Sequence, residues 1–267
     1  MSKKLLIIGK NSFLASHLYA YLKKYLSINK ISYQKFDTLK LSSIEKYTHV
    51  INCSIHPKYH NKRYNSKYDI DLNILNKIKD TNLKYIFLST RKVYKEKFNI
   101  KENDKIETTC NYSRNKIKTE KKLLLLLKKN LIVLRISNVL GIKKNFKNKR
   151  KIHKLFLDNY INSTQNKKPS IFDNGFKDFI TIEQFCDVIY KIIKSKIYGI
   201  YNLSLGEKIY IKEIVEWLNK PGMQKIIINN NIDKKNSFTL SNNKLISKIN
   251  VNLKKSTVKK FCNKLFR

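Results

Sequence analysis

Apolar and polar residues along the first half of the chain form two alternating kinds of segment. A continuous apolar run of strand length occurs at Lys4 to Ile8, an apolar strand is predicted at Tyr85 to Leu88, and His49 to Ser54 is interpreted as a third buried strand or its end. Such apolar runs are typical of parallel strands buried on both faces. Between them, apolar residues recur at helical spacing after residue 13 and across 69–82. This alternation predicts an α/β fold with a doubly wound parallel sheet.

A turn led by glycine separates the first predicted strand from the first helix. Gly9, Ser12 and Ala15 place small residues at three spaced positions, and Phe13 and Leu14 begin the helix. Such a turn points backbone N–H groups and the positive helix end at a phosphate, as in dinucleotide-binding folds. Because only one of the three small residues is glycine, the motif alone is weak evidence. It makes Gly9, Ser12, Phe13 and Leu14 candidate cofactor-binding residues.

A second strand is predicted over Ile31 to Phe36, ending at Asp37. A carboxylate at that strand end could accept hydrogen bonds from an adenosine ribose and would repel a 2′-phosphate, which favours NAD over NADP. Lys10 and Lys35 favour the opposite choice, and Asp37 is equally well explained as an ordinary turn residue. The cofactor prediction therefore stays NAD(H) or NADP(H).

A tyrosine and a lysine four residues apart, Tyr112 and Lys116, suggest acid–base chemistry. On a helix this spacing places the phenol and the ammonium on one face. A phenol titrates near ~10, so proton exchange near neutral pH needs about three pKa units of help, roughly 4 kcal/mol. Lys116 and a cationic nicotinamide could supply it, with Thr90 hydrogen-bonding the same substrate oxygen. Since such spacing arises readily by chance in a chain rich in Lys and Tyr, the interpretation depends on the surrounding motifs.

The formal net charge of +38 would ordinarily indicate a nucleic-acid or anionic-membrane partner. The lysines are spread from end to end, however, with only a local concentration at Lys143 to Lys154. That stretch is expected to face solvent by default, with a diphosphate as the alternative. Nucleic-acid binding is therefore disfavoured, and a small ligand carrying phosphate is favoured.

The distribution of cysteines and apolar residues points to the cytoplasm. The four cysteines form no C-x-x-C pair, so neither a zinc site nor a disulfide framework is indicated, and no metal site is predicted. The first predicted strand begins too early to leave room for a signal peptide, and no apolar run approaches the ~20 residues of a membrane span. We expect a soluble cytoplasmic protein without a membrane partner, large enough at 267 residues for one α/β domain.

Five motifs in order carry a family resemblance. They are the turn at Gly9, Val50 to Ser54, Phe87 to Tyr94, Tyr112 to Lys116 and Leu134 to Gly141. Together they resemble the extended short-chain dehydrogenase/reductase family, and within it the nucleotide-sugar epimerases, dehydratases and 4-keto reductases. The resemblance implies an NAD(P)-binding Rossmann fold, a nucleotide-sugar substrate and a role in surface polysaccharide biosynthesis. In many members of this family, the helices that flank the catalytic tyrosine pack against those of a second copy. The resemblance therefore also leads us to expect a possible homodimer.

The resemblance assigns roles to the three candidate catalytic residues. Thr90 corresponds to the residue that hydrogen-bonds the reacting oxygen, Tyr112 to the acid/base, and Lys116 to the residue that lowers its pKa and binds the nicotinamide ribose. Family dehydratases carry an Asp-Glu pair after the threonine, whereas this chain has Arg91 and Lys92, so 4,6-dehydration is disfavoured. Reduction of a keto-sugar is slightly favoured because the chain is short. The alternative is C4 epimerisation of a UDP- or dTDP-sugar.

The resemblance also indicates binding residues. The chain passes the cofactor at Asn52, Cys53 and Ser54, and Asn138 lies near the substrate diphosphate. His56 and Arg91 are further candidates for substrate contact, although His56 before a proline is more simply a loop residue. The candidate ligand-binding residues outside the Gly9 turn are Asp37, Asn52, Cys53, Ser54, His56, Arg91, Tyr112, Lys116 and Asn138.

The predicted domain organisation places residues 1–142 in the dinucleotide-binding domain, with 172–202 returning to it. Within that return, Lys177 to Ile182 is expected to rejoin the sheet. Residues 143–171 and 203–267 are expected to form a smaller substrate lobe, which includes an amphipathic stretch from Ile211 to Leu218. Two other readings stay open: a non-catalytic dinucleotide-binding relative, and a nucleic-acid-binding protein.

Overall fold

A six-stranded parallel sheet organises the fold. The computed structural model describes residues 3–142, 157, 171–173, 175–218, 227–229 and 237–265. Its strands, numbered in chain order, are β1 (Lys4–Ile8), β2 (Ser27–Ile31), β3 (His49–Asn52), β4 (Lys84–Thr90), β5 (Leu131–Ile136), β6 (Asn138–Leu140), β7 (Ile171–Asp173), β8 (Phe176–Lys177), β9 (Phe179–Thr181), β10 (Gly199–Leu203), β11 (Ile209–Tyr210) and β12 (Ile227–Asn229). The predicted doubly wound sheet is confirmed.

Helices connect the strands and cover both faces of the sheet. In chain order they are α1 (Phe13–Leu22), α2 (Tyr33–Asp37), α3 (Leu41–Ile44), α4 (Pro57–Asn61), α5 (Ile70–Ile78), α6 (Asn111–Leu127), α7 (Ile182–Lys194), α8 (Ile211–Leu218), α9 (Asn243–Ile246) and α10 (Lys255–Lys264). In the described part of the chain, no helix combines the length and the apolar character that crossing a bilayer requires.

Alternate residues of each central strand enter two different cores. Leu5 and Ile7 of β1 pack with α1 and α7 on one face, whereas Leu6 and Ile8 pack with α5 and α6 on the other. Successive side chains of a strand point to opposite faces, so a strand buried on both sides can be apolar at consecutive positions. This explains why β1 and the centre of β4 could be recognised as continuous apolar runs.

The strand order is β10-β5-β4-β3-β1-β2. The chain leaves β1 for β2 on one side and then crosses to β3 on the other, so the direction of winding reverses between β1 and β3. In open α/β sheets, ligands bind at the carboxyl ends of the strands beside such a reversal. Gly9 follows β1 and Asn52 ends β3, which places both residues at this point.

The predicted strand at Ile31 to Phe36 is wrong. The strand is β2, which ends at Ile31, and Ser32 then caps α2 by accepting a hydrogen bond from Lys35 N at 3.2 Å. An edge strand needs no continuous apolar run, and β2 has none. The prediction therefore followed the apolar residues beyond Ile31 and placed the strand too late in the chain. Asp37 is therefore an exposed residue at the end of α2 and does not end a strand. The argument that placed its carboxylate at the ribose no longer applies.

The second correction concerns the return of the chain to the main sheet. Lys177 to Ile182 does not rejoin it, because β9 pairs with β6 in a separate two-stranded sheet. The return is made by β10, which lies parallel to β5 at the edge. The predicted amphipathic segment is confirmed as α8. Lys143 to Lys154 lies outside the described residues.

Candidate functional site

The turn after β1 brings two strand ends into direct contact. Gly9 has φ +108°, and its backbone N–H donates to Ile31 O at 2.8 Å. A Cβ built on Gly9 would lie 2.8 Å from Ser54 Oγ and 2.9 Å from Ser54 N. Only glycine combines this φ with so close an approach. The turn is therefore a cradle formed by the segments that follow β1 and β3.

The first turn of α1 faces the same end of the sheet. Ser12 caps the helix, and its Oγ accepts a hydrogen bond from Ala15 N at 3.2 Å. Phe13 packs so closely on Gly141 that a Cβ there would lie 2.5 Å from the ring, and Leu14 packs against the main core. A helix start with free backbone N–H groups favours an anion.

The chain after β3 is held by Asn52. Its Oδ1 accepts from Ser54 N at 2.8 Å, and its Nδ2 donates to Asp71 Oδ1 at 2.9 Å. Cys53 is hydrogen-bonded to Ser12, and burial raises the pKa of its thiol. Ser54 Oγ is buried and has no hydrogen-bond partner in the part of the chain that the structure describes. An unpartnered hydroxyl beside a glycine cradle fits a polar ligand such as a dinucleotide, so these residues suit the predicted cofactor.

The three candidate catalytic residues meet at the carboxyl end of β4. Tyr112 and Lys116 lie one turn apart on α6, and the Tyr112 hydroxyl is hydrogen-bonded to the side chain of Thr90. Burial raises the pKa of Tyr112, whereas the Lys116 charge and the Thr90 hydrogen bond act to lower it; the net pKa lies above the ordinary value. Lys116 therefore does not by itself make the phenol acidic.

Lys116 has a fixed and buried environment. Its side chain is 7% exposed, its Nζ lies 3.4 Å from Asp71 Oδ2, and it sits 4.5 Å from the centre of the Phe87 ring. Burial acts to lower the pKa of Lys116, but the Asp71 carboxylate, together with Tyr112 and Asp69, outweighs this effect, and the net pKa is raised. The residue is a charged ammonium held in one place.

Asp71 was missed by the sequence analysis, although a signal existed. It lies on α5 at helical spacing from Ile74, Leu75 and Ile78, so it is a carboxylate on the apolar face of its helix. The structure buries it to 4% exposure. A charged residue on an apolar face calls for a buried partner, but the sequence does not reveal which one.

His60 was also missed. It lies on α4, and its ring is 4.8 Å from the ring of Tyr112 with an interplanar angle of 37°. The sequence interpretation treated the polar stretch around it as a loop. Because α4 packs against α6, this stretch forms one wall beside the candidate acid/base.

Arg91 has partners within the protein. Its Nη1 donates to Glu96 Oε1 at 2.9 Å, and its guanidinium lies 3.8 Å from the centre of the Phe238 ring. The side chain is 13% exposed. Arg91 thus connects the end of β4 to the segment at Phe238, and its predicted contact with substrate stays a prediction.

His56 and Asn138 also make contacts that support the fold. His56 caps α4, where its Nδ1 accepts from Lys58 N at 3.1 Å, and its ring stacks on Tyr68 at 4.6 Å. Asn138 Nδ2 donates to Asp178 O at 3.1 Å. These contacts explain the two residue types without a ligand, so their role in substrate binding remains a prediction.

Solved structures with the same fold cover nearly the whole chain. A UDP-N-acetylglucosamine 4-epimerase from Methanobrevibacter ruminantium M1, in complex with UDP-N-acetylmuramic acid, is 17% identical with a TM-score of 0.77, covering 98% of this chain and 96% of that one. A UDP-glucuronic acid 4-epimerase from Bacillus cereus, in complex with NAD, is 17% identical with a TM-score of 0.75, covering 97% and 96%. A dTDP-glucose 4,6-dehydratase from Bacillus anthracis str. Ames, in complex with NAD, is 14% identical with a TM-score of 0.69, covering 92% and 90%. At these identities the similarity establishes a common fold.

A search of curated proteins finds no match. The family model described as "NAD dependent epimerase/dehydratase family" matches residues 5–204. The matched range contains the Gly9 turn, the Asn52 to Ser54 segment and the residues around Tyr112, and it confirms the resemblance of the sequence motifs. The chain belongs to the NAD dependent epimerase/dehydratase family.

Proposed function

We propose that the protein is an NAD(P)-dependent oxidoreductase that reduces a keto group on a nucleotide-linked sugar, in the biosynthesis of a surface polysaccharide. The observation that supports this most is the meeting of Thr90 and Lys116 at Tyr112. The site is linked to the glycine cradle through Ser54, Asn52 and Asp71, each in contact with the next. These contacts support proton transfer and dinucleotide binding at adjoining positions.

The residues of this chain supply positioning and a proton. A bound reduced nicotinamide would supply the hydride that is added to the carbonyl carbon of the keto group. The Thr90 and Tyr112 hydroxyls are hydrogen-bonded to each other, so an oxygen of the sugar can contact both. Tyr112 donates its proton to that oxygen as negative charge develops on it, and the fixed Lys116 ammonium stabilises the phenolate that remains.

Dehydration fits the site poorly. Eliminating water requires an additional acid and base beside the sugar, and the two positions after Thr90 hold Arg91 and Lys92. Arg91 moreover forms a salt bridge with Glu96 and stacks on the Phe238 ring. Neither position can act as a carboxylate acid or base.

C4 epimerisation is the second candidate. The short chain first favoured a reductase, but this chain covers 96% of each of the two 4-epimerase structures. Chain length therefore does not separate the two reactions. Both use one tyrosine for proton transfer, and they differ in whether reduced cofactor is consumed.

The deciding experiment measures cofactor use. Purified protein is titrated with NADH and NADPH, then screened with nucleotide-linked 4-keto sugars for loss of reduced nicotinamide, and with UDP- and dTDP-sugars for interconversion without added cofactor. Reduction coupled to loss of NADH or NADPH supports the reductase, and interconversion alone supports the epimerase. Binding without turnover would favour a non-catalytic relative, and salt-sensitive RNA binding without dinucleotide affinity would favour the nucleic-acid reading.

The Tyr112→Phe variant tests the assignment of the proton donor. Loss of a general acid typically lowers the rate by about 100-fold or more, while cofactor affinity should stay nearly unchanged. The matched control is Tyr198→Phe, because Tyr198 is 53% exposed and is a tyrosine outside the site. Retention of more than about a hundredth of the turnover in Tyr112→Phe would reject the role.

A further inference from the structure

The carboxylate of Asp71 is built into the protein as an acceptor of three donors. Tyr85 OH donates to Oδ1 at 2.6 Å, Asn52 Nδ2 donates to the same oxygen at 2.9 Å, and Lys116 Nζ lies 3.4 Å from Oδ2. A carboxylate that accepts on both oxygens is suited to its ionised form. The ion pair is almost fully buried, with side chains 7% and 6% exposed for Lys116 and Asp71.

This ion pair changes what Lys116 does for Tyr112. An isolated ammonium one helical turn away would favour the phenolate. A carboxylate paired with that ammonium cancels part of its field, and in the interior such a charge is poorly screened. Asp71 accordingly acts to raise the pKa of Tyr112 against Lys116, on top of the effect of burial.

We propose that Asp71 is a positioning residue that holds the Lys116 ammonium in place and keeps Tyr112 in its protonated, proton-donating form. The inference rests on the proposed function and deepens it. A phenol that stays protonated is suited to giving a proton to a developing alkoxide, which is the reductive direction. An enzyme that begins by oxidising an alcohol needs the same residue to accept a proton first.

Other groups around the pair contribute to the same electrostatics. Asp69 immediately precedes α5 and caps it by accepting from the backbone of Leu72, and its side chain also accepts from Thr119 and Tyr64. Within the described residues, the titratable and charged groups that face Asp71, Lys116 or Tyr112 from the surrounding elements are Cys53, Tyr59, His60, Asp69, Tyr85 and Cys110. Asp69 is thus a second buried carboxylate beside the site that does not bond to Lys116, which makes it a control.

The test reads the ionisation of one phenol directly. Tyr112 is replaced by a difluorotyrosine, whose phenol ionises at a pH well below that of tyrosine. The midpoint pH of this ionisation is measured by fluorine NMR in cofactor-free protein. We expect Asp71→Asn to lower this midpoint by about one pH unit, and Asp69→Asn to lower it by clearly less. The Asn side chain can still accept from Tyr85 and Asn52, so the fold should survive. If it does not, the same comparison is made between Lys116→Met and Asp71→Asn/Lys116→Met, where removing Asp71 should again lower the midpoint.

A second measurement uses catalysis with the natural tyrosine. The rate of reduction is expected to fall as pH rises through the pKa of the proton donor. In Asp71→Asn, this fall in rate should occur at a lower pH, by the same number of pH units as the NMR midpoint. An unchanged or higher NMR midpoint in Asp71→Asn overturns the proposal, even if Tyr112→Phe abolishes turnover and so supports the proposed function. Conversely, a lowered midpoint with no turnover on any keto-sugar supports the role of Asp71 and counts against the reductase.

Discussion

Replacing Gly9 by alanine should disturb the cradle for two separable reasons. The backbone at Gly9 has φ +108°, which L-residues rarely adopt. The new Cβ would also lie 2.8 Å from Ser54 Oγ, 2.9 Å from Ser54 N and 3.0 Å from Cys53 C. Two of these atoms belong to the backbone and cannot rotate away, so the segments after β1 and β3 must move apart.

The chain offers a control with the strain but without the contact. Gly199 has φ +99°, and a Cβ there meets nothing within 4 Å. A sparsely populated φ costs about 1–3 kcal/mol, partly offset by about 0.4–1 kcal/mol from the reduced freedom of the unfolded chain. Gly199→Ala should therefore lower the free energy of unfolding by about 1 kcal/mol. Gly9→Ala adds an overpacking cost of about 1–3 kcal/mol, for a total of about 2–4 kcal/mol.

Urea unfolding of the two variants and the parent protein, followed by circular dichroism, gives these differences if the slopes agree. NADH titration of the folded variants gives the second readout. We expect Gly9→Ala to weaken binding at least about tenfold, because the displaced segment carries Ser54, and Gly199→Ala to leave it unchanged. Equal destabilisation of the two variants would show that the close contacts of a Cβ at Gly9 add nothing to the cost of the backbone strain. The explanation of why Gly9 is required in the cradle would then be wrong.

The remaining predictions concern two buried groups whose protonation couples to folding in opposite senses. Burial, with Lys3 and Lys84 nearby, lowers the pKa of His49 from 6.5 to about 4. As pH falls, the unfolded chain therefore binds the proton before the folded protein does. The free energy of unfolding should fall by up to about 3 kcal/mol as pH drops from about 6.5 to about 4. His49→Gln should remove that fall in urea titrations at several pH values, and an unchanged pH dependence would contradict it. Burial raises the pKa of Asp178 from 3.8 to about 6, so its contribution to stability should decline as pH rises from about 4 to about 6. Asp178→Asn places amide hydrogens against the N–H groups of Leu205, Gly206 or Leu240 and should cost about 1–3 kcal/mol at neutral pH; full stability there would refute the bonding described.

The sequence by itself determined the elements whose burial leaves a local pattern. β1 after Lys4 and the centre of β4 are continuous apolar runs because both their faces are covered, and α8 shows its apolar face as a helical repeat, so their placement followed from neighbouring residues alone. The spacing of Tyr112 and Lys116 likewise places them one turn apart on any helix. The position of β2 was not predicted correctly because an edge strand has no such pattern, and Asp37 was therefore wrongly placed at a strand end.

Only the tertiary structure decided which distant side chains meet. Asp71 and Lys116 are separated by 45 residues, and Arg91 stacks on Phe238 far along the chain. Nothing local marks such partners, because the packing of α5 against α6 and the contacts of the later segments select them. The sequence could therefore identify a candidate proton donor. The charge that opposes its ionisation became visible only once the helices were packed, since electrostatic interaction depends on distance in space and on burial.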